Sequence, residues 1–117
     1  MTHHDTHYLR PLSPELSVAA QLDVEAMAWV ARQGFRSVIN NRPDFEAGPD
    51  QPTSAVIEAA ATAAGLAYAY LPVAPAYQSP QEAAQMAALV ATLPKPILAF
   101  CRSGTRSGKL FLASQQR

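Results

Sequence analysis

Four short apolar runs alternate with four segments of helical periodicity along this chain of 117 residues. Each run has the length of a buried strand, and each segment that follows is long enough for a helix. Short connections and right-handed crossovers place such strands parallel in one sheet, with helices on both of its faces. The pattern therefore predicts an α/β fold with a four-stranded parallel sheet. The predicted strands are 16–22, 35–40, 66–71 and 96–100.

Residues that favour helix ends bracket the predicted helices. The segment Ser79-Pro80-Gln81-Glu82 has the spacing of a capping box, with proline at the first helical position. Pro94 ends that helix because proline cannot continue the hydrogen-bond ladder. Asp23 and Gly34 bound the first helix, Thr53 or Ser54 and Gly65 bound the second, and the last runs from Ser107 onward.

Composition excludes several classes of function. Nine basic and nine acidic residues cancel, which gives no support to nucleic acid or a membrane surface as a partner. No apolar run could span a bilayer and the polar start lacks a secretory signal, so we expect a cytoplasmic protein. The single cysteine rules out an internal disulfide and a cysteine-based zinc site. We expect no metal ion and no cofactor.

The length is that of one domain, which we expect to span residues 1–117. A hydrophobic fraction of 49% is enough for a modest core. Pro11 and Pro14 interrupt regular structure near the start of the chain. Residues 1–15 are therefore predicted to form an extended arm.

The one cysteine, Cys101, lies where the fourth predicted strand passes into the last helix. Backbone N–H groups in a loop before a helix converge on one point, and the helix dipole adds partial positive charge there. Arg102 and Arg106 add two cations, and Gly104 permits the tight turn that a ring of amides needs. These features lower the pKa of a thiol, and the thiolate is the nucleophilic form. Cys101 is therefore the candidate catalytic nucleophile.

The residues that follow Cys101 form a candidate anion site. The planar guanidinium of Arg106 suits an oxyanion, and the Ser107 hydroxyl could donate a hydrogen bond to the sulfur. Ligands of parallel sheets bind beyond the carboxyl ends of the strands, so the segment after the second strand shares this rim. The predicted catalytic residues are Cys101, Arg106 and Asp44, the predicted anion-binding residues are Arg42, Arg102, Ser103, Gly104, Thr105 and Ser107, and Glu46 lies on the same rim.

The segment Cys101-Arg102-Ser103-Gly104-Thr105-Arg106-Ser107 resembles the active loop of single-domain rhodaneses. Together with Val38-Ile39-Asn40-Asn41-Arg42-Pro43, it makes the chain resemble a bacterial family described as the phosphatase-like domain of beta-lactamase-hydrolase-like proteins, sometimes labelled a sulfur transferase. The resemblance covers nearly all of residues 11–117. It implies a protein-tyrosine-phosphatase-like fold of the dual-specificity type, with the cysteine strand central and strand order 1-4-2-3.

Two departures from the protein tyrosine phosphatase pattern bear on the reaction. Cys101 and Arg106 are spaced as C-x4-R where those enzymes have C-x5-R, and Phe100 stands where they have histidine. The smaller ring of amides suits one sulfur atom better than a tetrahedral phosphate. Residues 73–81, where dual-specificity enzymes carry an aspartic acid, contain no Asp, Glu or His. Asp44 is the nearest substitute for that general acid.

The sequence leaves three functions open. The leading one is sulfur transfer, in which Cys101 takes sulfane sulfur from a donor, holds it as a persulfide, and passes it to an external thiol or cyanide. The second is a phosphatase with a phosphocysteine at Cys101, Arg106 holding the phosphoryl oxygens and Asp44 as a poor acid. The third is a non-catalytic module that binds an anion or senses thiol oxidation. The partner is in each case a small anionic or sulfane-sulfur molecule.

Overall fold

Five strands and four helices follow one another in residues 9–116, the part of the chain that a computed structural model describes. Residues 1–8, which belong to the predicted arm, and residue 117 lie outside the described residues. The strands are β1 (Leu9–Ser13), β2 (Leu16–Ala19), β3 (Ser37–Asn40), β4 (Ala67–Tyr70) and β5 (Ile97–Phe100). The helices are α1 (Ala26–Arg32), α2 (Ser54–Ala63), α3 (Pro80–Thr92) and α4 (Thr105–Ser114). None of these helices is long and apolar enough to cross a membrane.

The strands form one sheet in the order β1-β2-β5-β3-β4. The last four pair in parallel, and among themselves they keep the order 1-4-2-3 that the resemblance implies. The predicted count of four strands is corrected to five, because β1 pairs antiparallel with β2 at the edge of the sheet. Residues 9–13 are thus a strand and not part of an extended arm. Pro11 is tolerated because an edge strand needs donors on one side only, and the ladder shifts register between Pro11 and Ser13.

Helices cover both faces of the sheet, as predicted. In β5, Ile97 and Ala99 pack with residues of α3 and α4, while Leu98 and Phe100 pack with residues of α1 and α2. Successive side chains of a strand point to opposite faces, so a strand that is covered on both faces is apolar throughout. All four residues of β5 are buried. Cys101 directly follows the carboxyl end of this central strand.

The helix starts agree with the sequence in two cases and differ in two. The capping box of α3 is present, and Thr53 caps α2. The helix α1 begins at Ala26, later than predicted, although Asp23 Oδ1 does accept a hydrogen bond from the Ala26 N–H at 3.0 Å. The helix α4 begins at Thr105, earlier than the predicted Ser107. Arg106 and Ser107 therefore lie in the first turn of α4, close to the thiol.

Candidate active site

Three loops meet at the carboxyl end of the parallel strands, as predicted. The Asn41 N–H donates to Phe100 O at 2.8 Å, and the Val73 N–H donates to Asn41 O at 3.0 Å. These bonds tie together the segments that follow β5, β3 and β4. The Cys101 N–H donates to Ala19 O at 3.4 Å and anchors the cysteine to β2 as well. The site is thus built on the rigid end of the sheet.

The loop after β5 wraps around the sulfur of Cys101. The Gly104 N–H donates to Cys101 Sγ at 3.1 Å, and the cysteine is 1% exposed. Gly104 has φ of 92°, in the left-handed region that glycine adopts without steric cost. On the outer side of the loop, the Ser103 hydroxyl donates to Thr105 Oγ1 at 3.2 Å. The predicted tight turn is present, and it aims a backbone donor at the thiol.

Burial and hydrogen bonding act in opposite directions on the Cys101 thiol. Burial is the largest influence and raises its pKa, because a low-dielectric surrounding disfavours the thiolate. The backbone N–H and hydroxyl of Ser107 and the backbone N–H groups of Ser103 and Gly104 lower the pKa more in total. The net pKa of the thiol lies below its ordinary value. Cys101 therefore has the larger thiolate fraction that a nucleophile needs.

The Ser107 hydroxyl is the side chain that contributes most to this lowering. Its oxygen is fully buried and has no partner of regular hydrogen-bond geometry among the described residues. A hydrogen bond from this hydroxyl favours the charged form of the sulfur and so lowers the pKa of the thiol. The hydroxyl remains free to turn its hydrogen toward the thiolate as charge develops there.

A Ser107→Ala variant is expected to shift the midpoint for alkylation of Cys101 by iodoacetamide to higher pH. The shift follows because the hydroxyl lowers the thiol pKa, while the backbone N–H of residue 107 remains. The measurement is the alkylation rate against pH, followed by intact mass. Ser114→Ala is the matched control, since Ser114 is a buried serine on the same helix that bonds Phe111 O away from the thiol. Equal midpoints for the two variants would contradict the role of Ser107.

Arg106 is held with part of its guanidinium left unoccupied. Its Nη1 donates to Glu46 Oε2 at 3.0 Å and to Val73 O at 3.1 Å, and its Nη2 donates to Glu46 Oε1 at 3.1 Å. Three of the five N–H groups of the guanidinium are thereby used. The Nε–H and the second Nη2–H, which share one edge of the plane, have no partner among the described residues. That edge is available for a bidentate oxyanion.

Glu46 joins the two buried arginines of the site. Its Oε1 also accepts a hydrogen bond from Arg42 Nε at 2.8 Å, and Arg42 Nη1 donates to Gln21 Oε1 at 3.2 Å. Partial burial raises the pKa of the Glu46 carboxyl, but the hydrogen bonds and charges of Arg106 and Arg42 outweigh it, and the pKa is lowered overall. Glu46 is therefore ionised at neutral pH and fixes both guanidinium groups.

Asp44 lies in the loop after β3, and its bonds reach the start of α2 and the end of β4. Its Oδ1 accepts the Ser54 N–H at 2.7 Å at the start of α2, and its own N–H donates to the Tyr70 hydroxyl at 2.8 Å. Between Asp44 and Glu46 stands Phe45 with φ of 64°, unusual for a residue that is not glycine. This turn sends the two carboxylates to different partners. Asp44 lines neither of the cavities described below, whereas Glu46 lines one of them. The catalytic role of Asp44 stays a prediction.

Two adjoining cavities open on this site and share the walls formed by Pro75, Arg102 and Arg106. The inner cavity, of about 180 Å³, is lined by the cysteine and by much of its loop. The outer cavity, of about 380 Å³, is lined by the arginines, Glu46, Ala47 and Pro75. Of the predicted site residues, the inner cavity gathers Cys101, Arg102, Ser103, Thr105 and Arg106, and the outer one gathers Arg42, Arg102 and Arg106.

Sequence reasoning missed four participants. Glu46 was expected on the rim but was assigned no role, because its ion pair with Arg42 lies in a loop, where the helical spacing rule does not apply. Lys109 lines the inner cavity, one helical turn after Thr105. Gln21 and the carbonyl of Val73 are reached through the fold alone, and no local pattern marks them.

The fold and this cysteine loop define a protein-tyrosine-phosphatase-like class of protein. Among solved structures, the chain is similar to a protein of Neisseria meningitidis proposed to be a phosphatase, with 28% identity and a TM-score of 0.76 over 87% of this chain and 72% of that one. It is also similar in fold to Tk-PTP in its active form, with 18% identity and a TM-score of 0.69 over 91% of this chain and 70% of that one.

The chain belongs to the family described as beta-lactamase hydrolase-like protein, phosphatase-like domain, whose profile matches residues 8–117. A beta-lactamase hydrolase-like protein of Xylella fastidiosa is 35% identical over 104 residues, which are 89% of this chain and 24% of the relative. The chain therefore spans about a quarter of the length of the relatives that it matches.

Proposed function

We propose that this phosphatase-like protein transfers sulfane sulfur through a persulfide on Cys101. The thiolate attacks the outer sulfur of a donor such as thiosulfate, the S–S bond of the donor breaks, and sulfite leaves with the electron pair of that bond. An acceptor thiolate then attacks the outer sulfur of the persulfide and releases the Cys101 thiolate. No external oxidant or reductant is needed. The sequence contains a single cysteine, so the acceptor thiol lies outside these 117 residues.

One observation carries this proposal: the site lacks a carboxyl group that is ready to donate a proton. Among the described residues, Glu46 is the one carboxylate that lines either cavity, and its lowered pKa keeps it ionised at neutral pH. Hydrolysis of an alkyl phosphate requires an acid to protonate the leaving alkoxide. Sulfite is a stable anion and leaves without a proton. The C-x4-R spacing supports the same choice, since it makes the amide ring small.

A second candidate, a phosphatase for activated esters, is favoured by the family description and by the structural neighbours. The Cys101 thiolate would attack phosphorus, the free edge of Arg106 would hold two phosphoryl oxygens, and an aryl oxide would leave unprotonated. Water would then attack phosphorus and release phosphate from the cysteine. With Glu46 ionised, this chemistry is limited to esters of acidic alcohols such as phenols.

The test is to incubate the protein with thiosulfate and measure its intact mass. The wild type is expected to gain the mass of one sulfur atom, and a later addition of thiol should remove it. A Cys101→Ser variant should gain nothing, because a serine hydroxyl is not ionised at neutral pH. Circular dichroism of the variant shows whether its fold is retained.

The same preparations are tested with an aryl phosphate and with glycerol phosphate. Absence of a sulfur adduct with both thiosulfate and an organic persulfide would overturn sulfur transfer. Hydrolysis of the aryl ester by wild type, lost in Cys101→Ser, would then establish the second candidate. Binding of sulfate without turnover of any substrate would instead assign the site to the non-catalytic module.

A further inference from the structure

The outer cavity is large in comparison with the substrates that the inner one can hold. The inner cavity of about 180 Å³ contains the cysteine and suits a compact donor such as thiosulfate. The outer cavity of about 380 Å³ adjoins it across Pro75, Arg102 and Arg106, and it has the size of a site for an organic molecule. A reaction restricted to thiosulfate and cyanide would leave this second space without a ligand.

The residues that line the outer cavity carry a net positive charge, which favours an anionic ligand. Three guanidinium groups, those of Arg42, Arg102 and Arg106, face one carboxylate, Glu46. Arg42 is 8% exposed, and hydrogen bonds to Glu46 and Gln21 hold its guanidinium. Its position in the cavity wall is therefore fixed. Both oxygens of Glu46 already accept hydrogen bonds from the arginines. Glu46 therefore has little capacity left to attract a cation.

Arg102 is the free cation of this wall. It is exposed, and within residues 9–116 its guanidinium has no hydrogen-bond or ion-pair partner. Its backbone is fixed, because the Gln21 N–H donates to Arg102 O at 3.2 Å. Since Arg102 lines both cavities, one ligand can reach its guanidinium while extending toward the sulfur of Cys101. A carboxylate is a planar, bidentate partner for such a group.

We propose that the acceptor is a low-molecular-weight thiol that carries one or more carboxylates, which bind in the outer cavity while its sulfur enters the inner one. This inference rests on the proposed sulfur transfer. The acceptor thiol loses its proton to solvent, and its thiolate attacks the outer sulfur of the Cys101 persulfide. The S–S bond of the persulfide breaks, its electron pair returns to Cys101, and the acceptor leaves as a persulfide.

Ala47 allows a test that leaves the residues around the thiol in place. Ala47 lines the outer cavity but not the inner one, and it is exposed. Ala47→Glu adds a negative charge to the outer wall, and Ala47→Gln is its uncharged control of nearly the same size. The acceptors are mercaptosuccinate, with two carboxylates, and cysteamine, with an ammonium group. Each acceptor is compared with itself across the variants, because thiol pKa values differ between acceptors.

The KM for mercaptosuccinate is expected to be about threefold to fivefold higher in Ala47→Glu than in Ala47→Gln, the range expected for a partly exposed charge pair. The KM for cysteamine should stay equal or fall. The effect on mercaptosuccinate should shrink at high ionic strength.

Two further outcomes separate the inference from the function on which it rests. If thiosulfate forms the persulfide in all variants but the ratio of KM values is the same for both acceptors, the carboxylate site is overturned and sulfur transfer stands. If the persulfide does not form on the wild type, sulfur transfer itself fails before any acceptor is added. Circular dichroism of the two variants confirms that each retains its fold.

Discussion

If the protein transfers sulfur as proposed, an Arg106→Lys variant is expected to lose about a hundredfold in kcat/KM for thiosulfate, the loss that follows removal of one preorganised oxyanion donor. The arginine bonds Glu46 and Val73 O through three N–H groups and keeps one edge of its plane for the substrate. A lysine has three donors on one nitrogen and no second edge. It can replace the structural contacts or hold the anion, but not both. The measurement is the steady-state rate against thiosulfate concentration.

Arg32→Lys is the matched control for this substitution, because Arg32 is an exposed arginine in the last turn of α1 and lines neither cavity. It should retain the wild-type kcat/KM. If kcat/KM of Arg106→Lys stays within about threefold of the wild-type value, charge alone is sufficient at this position. That result would contradict binding of the substrate through two N–H groups of Arg106.

A Gly104→Ala variant is expected to lower the free energy of unfolding by about 3 kcal/mol, from a strained φ and an added steric contact. Gly104 has φ of 92°, and a Cβ built there would lie 3.3 Å from both the carbonyl carbon and the oxygen of Ala19. Those atoms belong to β2 and cannot move without disturbing the sheet. Any shift of the loop also weakens the bond from the Gly104 N–H to the sulfur, which raises the pKa of the thiol. Chemical denaturation and alkylation against pH measure the two effects.

Gly65→Ala separates the steric contact from the backbone strain. Gly65 has φ of 84°, and a Cβ there would have no atom within 4 Å. This control should lose only about 1–2 kcal/mol, the cost of the left-handed backbone. It should leave the alkylation of Cys101 unchanged. Equal losses of stability in the two variants would mean that the contact with Ala19 is relieved at no cost.

The parallel core of the fold could be predicted because its signals are local. The alternation of apolar runs and capped helices identified β2, β3, β4 and β5, and the capping box at Ser79 located the start of α3. The edge strand β1 was missed because its stability comes from pairing with β2, while Pro11 signals an interruption. Proline is compatible with an edge strand, and no local pattern reveals that a partner strand is present.

The site was predictable to the extent that it is continuous in sequence. Residues 101–107 contain the backbone donors, the glycine and two of the cations of the site, so the candidate nucleophile and its loop could be predicted from seven residues. The choice between Asp44 and Glu46 depends on the turn at Phe45 and on hydrogen bonds to Ser54 and Tyr70, which are distant in sequence. Proximity to Arg42 in the chain could not decide which carboxylate pairs with the arginines of the site.

The bridge from Glu46 to Arg106 joins positions sixty residues apart, whereas the groups that lower the thiol pKa all lie between residues 103 and 107. The groups that set the pKa of the thiol and the groups that hold the arginines therefore come from different parts of the chain. Local opening of the loop after β3 releases Arg42 and Arg106 from Glu46 but leaves the donors around the sulfur intact. In that open form we expect the thiol pKa to stay lowered, while the two guanidinium groups no longer have fixed positions. We therefore expect disorder in this loop to change which anions the site binds more than it changes the alkylation of Cys101.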